Sequence, residues 1–112
     1  MAGICKKADA KHMNHIIIKQ SEQIDARTMG QVDNRFAVKP VVDGEDVALC
    51  GVNIVEVEPG CTAYGYHYHE ANEEVFCILS GTATVRTPQG EKEVPAGGII
   101  AFPAGAAGAH VV

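Results

Sequence analysis

A chain of 112 residues, 46% apolar and 21% charged, has room for one domain with a single core and little else. Its formal charge of −5, with no basic cluster, excludes the Lys/Arg-borne phosphate contacts of a nucleic-acid binder and argues equally against an anionic membrane surface. No apolar stretch approaches a membrane span. The start, "MAGICKKADAKHMNHIII", is broken by charges and His residues where a signal peptide is continuously apolar, so a cytoplasmic protein is expected.

In chain order, residues 1–30 form a polar N-terminal arm with one expected short strand, "HIIIK" at 15–19, able to pair with a neighbour. Residues 31–112 form the main domain, and from residue 36 short β-rich runs alternate with turn residues. "FAVKPVV" meets "DGED", "VALCGVNIVEV" meets "EPG", and "EVFCIL" meets "SG". "TATVRT" then meets "PQG", "KEV" meets "PAGG", and "IIAF" meets "PAG". Strands of this length at such spacing predict an all-β antiparallel sandwich or barrel. No segment there has a sustained helical period. Cys5, Cys50, Cys61 and Cys77 include no Cys-x-x-Cys pair, which favours reduced thiols over a zinc site or a disulfide framework.

The chemistry concentrates in "YGYHYHEANEEVFCILSG", residues 64–81. If "AYGYHYH" is a strand, His67 and His69 point to one face, and Tyr64, Tyr66 and Tyr68 point to the other, where they pack on a strand layer or a subunit. After the "EAN" turn a second strand begins. Glu74, Phe76 and Ile78 share one of its faces, and a hairpin sets Glu74 beside the two imidazoles, with Glu73 turned to solvent. A lone inward His is usually a hydrogen-bonded core residue. Three polar residues on one buried face are harder to satisfy, and a divalent transition metal satisfies them.

The stretch resembles the first motif of the cupin superfamily: Pro59-Gly60, His67, His69, Glu74, then Gly81 after six intervening residues. Gly60 stands one residue further from His67 than the usual spacing. "GGIIAFPAGAAGAH" is similar to the second motif, with Gly97, Pro103 and Gly105 in place. The family's usual His position holds Gly108, and His110 follows two residues later. The resemblance implies a cupin-like antiparallel β-barrel or jelly roll (a double-stranded β-helix). The Asn that usually follows the His, and the strands after it, are not in the sequence. Either the sequence is cut short, or the barrel is completed by the N-terminal arm or by strand exchange in a homodimer, the exchange being favoured over the arm because an open sheet edge invites pairing.

The same resemblance implies a centre in which His67, His69, Glu74 and His110 hold one divalent transition metal, Fe, Mn, Ni, Co, Cu or Zn, with two octahedral positions open to water or a small-molecule substrate. Phe76 and Ile78 suggest an apolar pocket wall, with core packing an equal account. The functions implied are a small-molecule metalloenzyme, either an isomerase acting on a sugar or hydroxycarbonyl or a dioxygenase. The alternative is a non-catalytic ligand-binding or sensor domain. Arg86 is first of all a surface charge, and no general base stands out beyond the ligand set.

Overall fold

A computed structural model describes residues 2–6, 16–31, 34–42 and 50–112, those at 3–6 and 31 by their backbone alone. Among the described residues eight strands are present: β1 (Ala2–Lys6), β2 (Arg27–Gln31), β3 (Asn34–Val42), β4 (Cys50–Val57), β5 (Glu74–Cys77), β6 (Thr82–Thr87), β7 (Gly90–Pro95) and β8 (Ile99–Phe102). Two 3-10 turns lie at Ser21–Gln23 and Ala106–Gly108, and no α-helix occurs among the described residues. No helix there is long and apolar enough to cross a membrane.

The strands form where side chains alternate. In β6, Val85 is buried between the exposed Thr84 and Arg86; in β8, Phe102 is buried next to the exposed Ala101. Such period-two patterning puts one face of each strand on the core and leaves the other wet. Phe36 and Val38 of β3 meet Val55 of β4 and Ala63 in one cluster, with Val57 packed against it. Ile78, Val85, Phe102 and Ala109 are the other buried apolar residues among those described. Cys50 and Cys77 are half-buried free thiols at the start of β4 and the end of β5.

Six strands make one antiparallel sheet in the order β2-β3-β4-β1-β5-β8, and β6 and β7 form a hairpin. β1 is inserted between β4 and β5 and is antiparallel to both, so that Ile4 faces Val52 on one side and Val75 on the other. The chain's own N-terminal arm thus contributes an interior strand to a sheet whose edges are β2 and β8. That strand lies at 2–6. The one expected over "HIIIK" is absent from 16–19, where Ile16 and Ile18 are 85% and 84% exposed; His15 is outside the described residues. Without a partner strand, three consecutive isoleucines have nothing to pair with.

The chain's last residues join the hairpin to the histidine segment. Ala63 N–H donates to the Val112 carbonyl, His67 and His110 exchange both backbone hydrogen bonds, and Arg86 and Val111 do the same. The turn at 95–98 is tied to the end of β5 by Ile78 N–H to the Gly98 carbonyl and Gly97 N–H to the Ile78 carbonyl. Gly97, at φ +90°, supplies the left-handed turn that this contact needs.

Candidate metal centre

The segment carrying His67 and His69 is not the strand expected from "AYGYHYH". Within 63–69 a single bridge, His67 to His110, is the whole of its pairing. Tyr64 has φ +58°, which breaks the extended run. Tyr64, Tyr66 and Tyr68 are 41%, 46% and 48% exposed; the Tyr64 ring packs 4.6 Å from that of Phe36 on β3, and Arg86 of β6 lies 5.3 Å over the Tyr66 ring. The segment is held from both ends instead. Asn34, at the start of β3, accepts from the Thr62 backbone N–H and donates to its hydroxyl, and Gly105 N–H donates to the His69 carbonyl at 2.7 Å.

Three parts of the chain converge on one point. Glu74 stands on β5, with Cys5 of β1 opposite it on one side and Phe102 of β8 on the other. Its Oε1 lies 2.9 Å from His69 Nε2, 3.5 Å from His110 Nε2 and 3.9 Å from His67 Nε2. Donor atoms of His67, His69 and Glu74 all fall within 4.8 Å of one another. Glu73 is exposed and turned away. His110 is the most buried of the set, with 2% of its surface exposed, and its ring stacks on Phe102 at 3.7 Å.

The hydrogen bonds of the imidazoles decide what this point can hold. His67 Nδ1 donates to the Gly65 carbonyl and His110 Nδ1 to the Gly108 carbonyl, each at 2.7 Å. A carbonyl only accepts, so both Nδ1 atoms carry a proton, and in its neutral form each ring turns a bare Nε2 lone pair toward Glu74. Burial, partly offset by the Gly108 carbonyl and the Glu74 charge, lowers the His110 pKa below its usual 6.5, and positive charge on neighbouring His67 or His69 would lower it further; this favours the neutral ring. His110 Nε2 and Glu74 Oε1 are both buried with no hydrogen-bond partner. Lone pairs facing one another across 3.5 Å repel, and a cation between them removes the repulsion.

The donor set fits a transition metal. With bonds of about 2.0–2.1 Å, two ligand atoms on one ion stand about 2.8–4.2 Å apart, from adjacent to opposite positions. The separations from Glu74 Oε1, 2.9, 3.5 and 3.9 Å, lie inside that range, while the group whose donor atoms all lie within 4.8 Å of one another is His67, His69 and Glu74, without His110. Imidazole nitrogen with one carboxylate oxygen suits Fe, Mn, Ni, Co, Cu or Zn alike.

Gly108 explains the displaced histidine. A Cβ there would collide with the Pro103 carbonyl, so the loop leaves no room for a side chain where the family's histidine usually sits. The 3-10 turn at Ala106–Gly108 carries the chain on to His110. Phe76 meets the His110 ring edge-on at 5.5 Å and Phe102 at 5.2 Å. Ile78 lines a groove of about 870 Å³ that Phe76 does not reach. Reading the sequence missed Phe102 as the platform under His110 and Asn34 as the clasp on Thr62. Neither carries a local signal, since both act across turns of the fold.

This is the arrangement of an antiparallel β-domain that gathers imidazoles and one carboxylate between its strands. A family model described as "Cupin domain" matches residues 53–110, more than half of the 112-residue chain, and the chain belongs to the cupin family. No curated protein and no solved structure matches it.

Proposed function

We propose that this cupin binds one divalent transition metal through His67, His69, Glu74 and His110 and acts with it on a small oxygen-bearing molecule, as an isomerase-like or dioxygenase-like enzyme. One observation carries the reading: the buried Nε2 of His110 and Oε1 of Glu74 face each other with no hydrogen bond while the His110 proton is committed to Gly108. A metal bound there supplies Lewis acidity or, if redox-active, a seat for O₂. The chain's own residues orient the donors. Gly65 and Gly108 fix the ring tautomers, Phe102 holds the His110 plane, and β1 and β8 hold Glu74 between them. His67 and His69 keep 34% and 37% of their side-chain surface exposed, which leaves an approach for a small molecule. The reading includes a cytoplasmic setting and a homodimer, the latter supported by Leu79 and Ile99 at 58% and 71% exposure.

Elemental analysis of the purified protein tests it. Near-stoichiometric metal that disappears in His67→Ala and persists in Glu73→Ala is the expected result; metal retained in His67→Ala, or none after reconstitution, overturns the reading. Turnover on a panel of hydroxycarbonyls, sugars and catechols then decides between an enzyme and the binding-domain alternative.

A further inference from the structure

Tyr64 is the one non-glycine residue with positive φ among those described. A left-handed backbone costs an L-residue roughly 1–2 kcal/mol, and glycine would avoid it. Core packing does not account for the tyrosine, since 41% of it is exposed even with its ring centred 4.6 Å from that of Phe36. What the position does achieve is a bridge between two features. Tyr64 lines the groove of about 870 Å³ together with Thr62, Tyr66, Ile78 and Arg86, and its ring centre lies 6.0 Å from that of His67. Among the described residues, it is the one wall of the groove in ring contact with a member of the metal-ligand set.

We propose that Tyr64 is a specificity-determining residue, whose hydroxyl donates a hydrogen bond to a bidentate oxygen ligand, of the hydroxycarbonyl class, bound at the His67–His69–Glu74 group. The inference rests on the metal reading above. A free tyrosine hydroxyl titrates near pH 10, so at neutral pH it is a donor. The oxygen of a chelating ligand keeps a lone pair to accept that bond.

The test uses the full chain loaded with cobalt and titrated with acetohydroxamate, a bidentate oxygen chelator, with binding read from the visible bands of the cobalt. Tyr64→Phe keeps the ring and its contact with Phe36. It is expected to hold the same amount of cobalt and to bind the probe about tenfold more weakly, the loss of one hydrogen bond. Tyr64→Gly relieves the backbone and is expected to melt no lower than wild type while binding the probe at least as poorly as Tyr64→Phe. Tyr68→Phe, outside the groove, is expected to bind it as wild type does. Unchanged probe affinity in Tyr64→Phe overturns the proposal, and so does cobalt loss in that variant, which would make Tyr64 a structural residue. Cobalt-loaded wild type that ignores the probe overturns this inference along with the small-ligand reading. Wild type that takes no cobalt overturns the metal centre itself.

Discussion

Glu74 Oε1 and His110 Nε2 stand 3.5 Å apart, both buried and with no hydrogen bond between them, and the nearest polar partner of Oε1 is His69 Nε2 at 2.9 Å. The His110 proton is on the far side of the ring, given to Gly108. An acceptor therefore faces an acceptor in the interior of a domain with few buried residues, and this local repulsion is the physical root of what can be expected of the centre.

Replacing Glu74 by Gln gives the lone pair of His110 a donor. The metal-free variant is expected to be more stable than metal-free wild type by about 1 kcal/mol, a rise of roughly 4–8 °C in Tm for a domain of this size. With metal present the order reverses, because wild type alone gains the binding free energy. Thermal unfolding with and without a chelator checks both signs; a metal-free Glu74→Gln that melts below wild type would falsify the idea.

The His110 pKa is lowered in the folded protein, chiefly by burial. Over the window where the unfolded His takes up a proton and the folded one does not, the unfolded state binds more protons and stability rises with pH. Stability from this residue is thus complete above pH 6.5 and declines as the pH drops from there toward the lower folded pKa. In the metal-free protein, His110→Asn should flatten the Tm-against-pH curve in this interval. A slope as steep as wild type's would place the titration elsewhere.

Gly108→Ala puts a Cβ into the Pro103 carbonyl, so the 103–108 loop must shift and carry His110 with it. A cost of about 1–3 kcal/mol and a clear loss of metal are expected. Gly105→Ala, where a Cβ meets nothing, pays only for its φ of +85° and should retain metal. Metal content and melting temperature of the two variants, measured side by side, separate loop collision from backbone strain.

Ile4→Pro removes a backbone donor from a strand paired on both sides. Because β1 flanks the strand that bears Glu74, the substitution should cost about 3 kcal/mol or more and lower metal occupancy as well. Hydrogen exchange at the amides of β4 and β5 provides the readout. Protection equal to wild type would mean that β1 does not hold this sheet together in solution.

Much of this domain was legible locally. β6 and β8 form over "TATVRT" and "IIAF" because period-two burial and the turn residues after them are properties of a few neighbouring positions. The same holds for Glu74, whose inward register follows from alternation along β5 and opposes that of Glu73. Tertiary structure decided where a partner was needed. Nothing in the alternation of residues 2–6 names β4 and β5 as its neighbours; that choice depends on which backbone donors and acceptors the rest of the sheet leaves unpaired. The same physics made the tyrosine–histidine run irregular. Its conformation is imposed by Asn34, Gly105 and His110, residues distant in sequence whose hydrogen bonds outweigh the strand preference of the aromatic side chains.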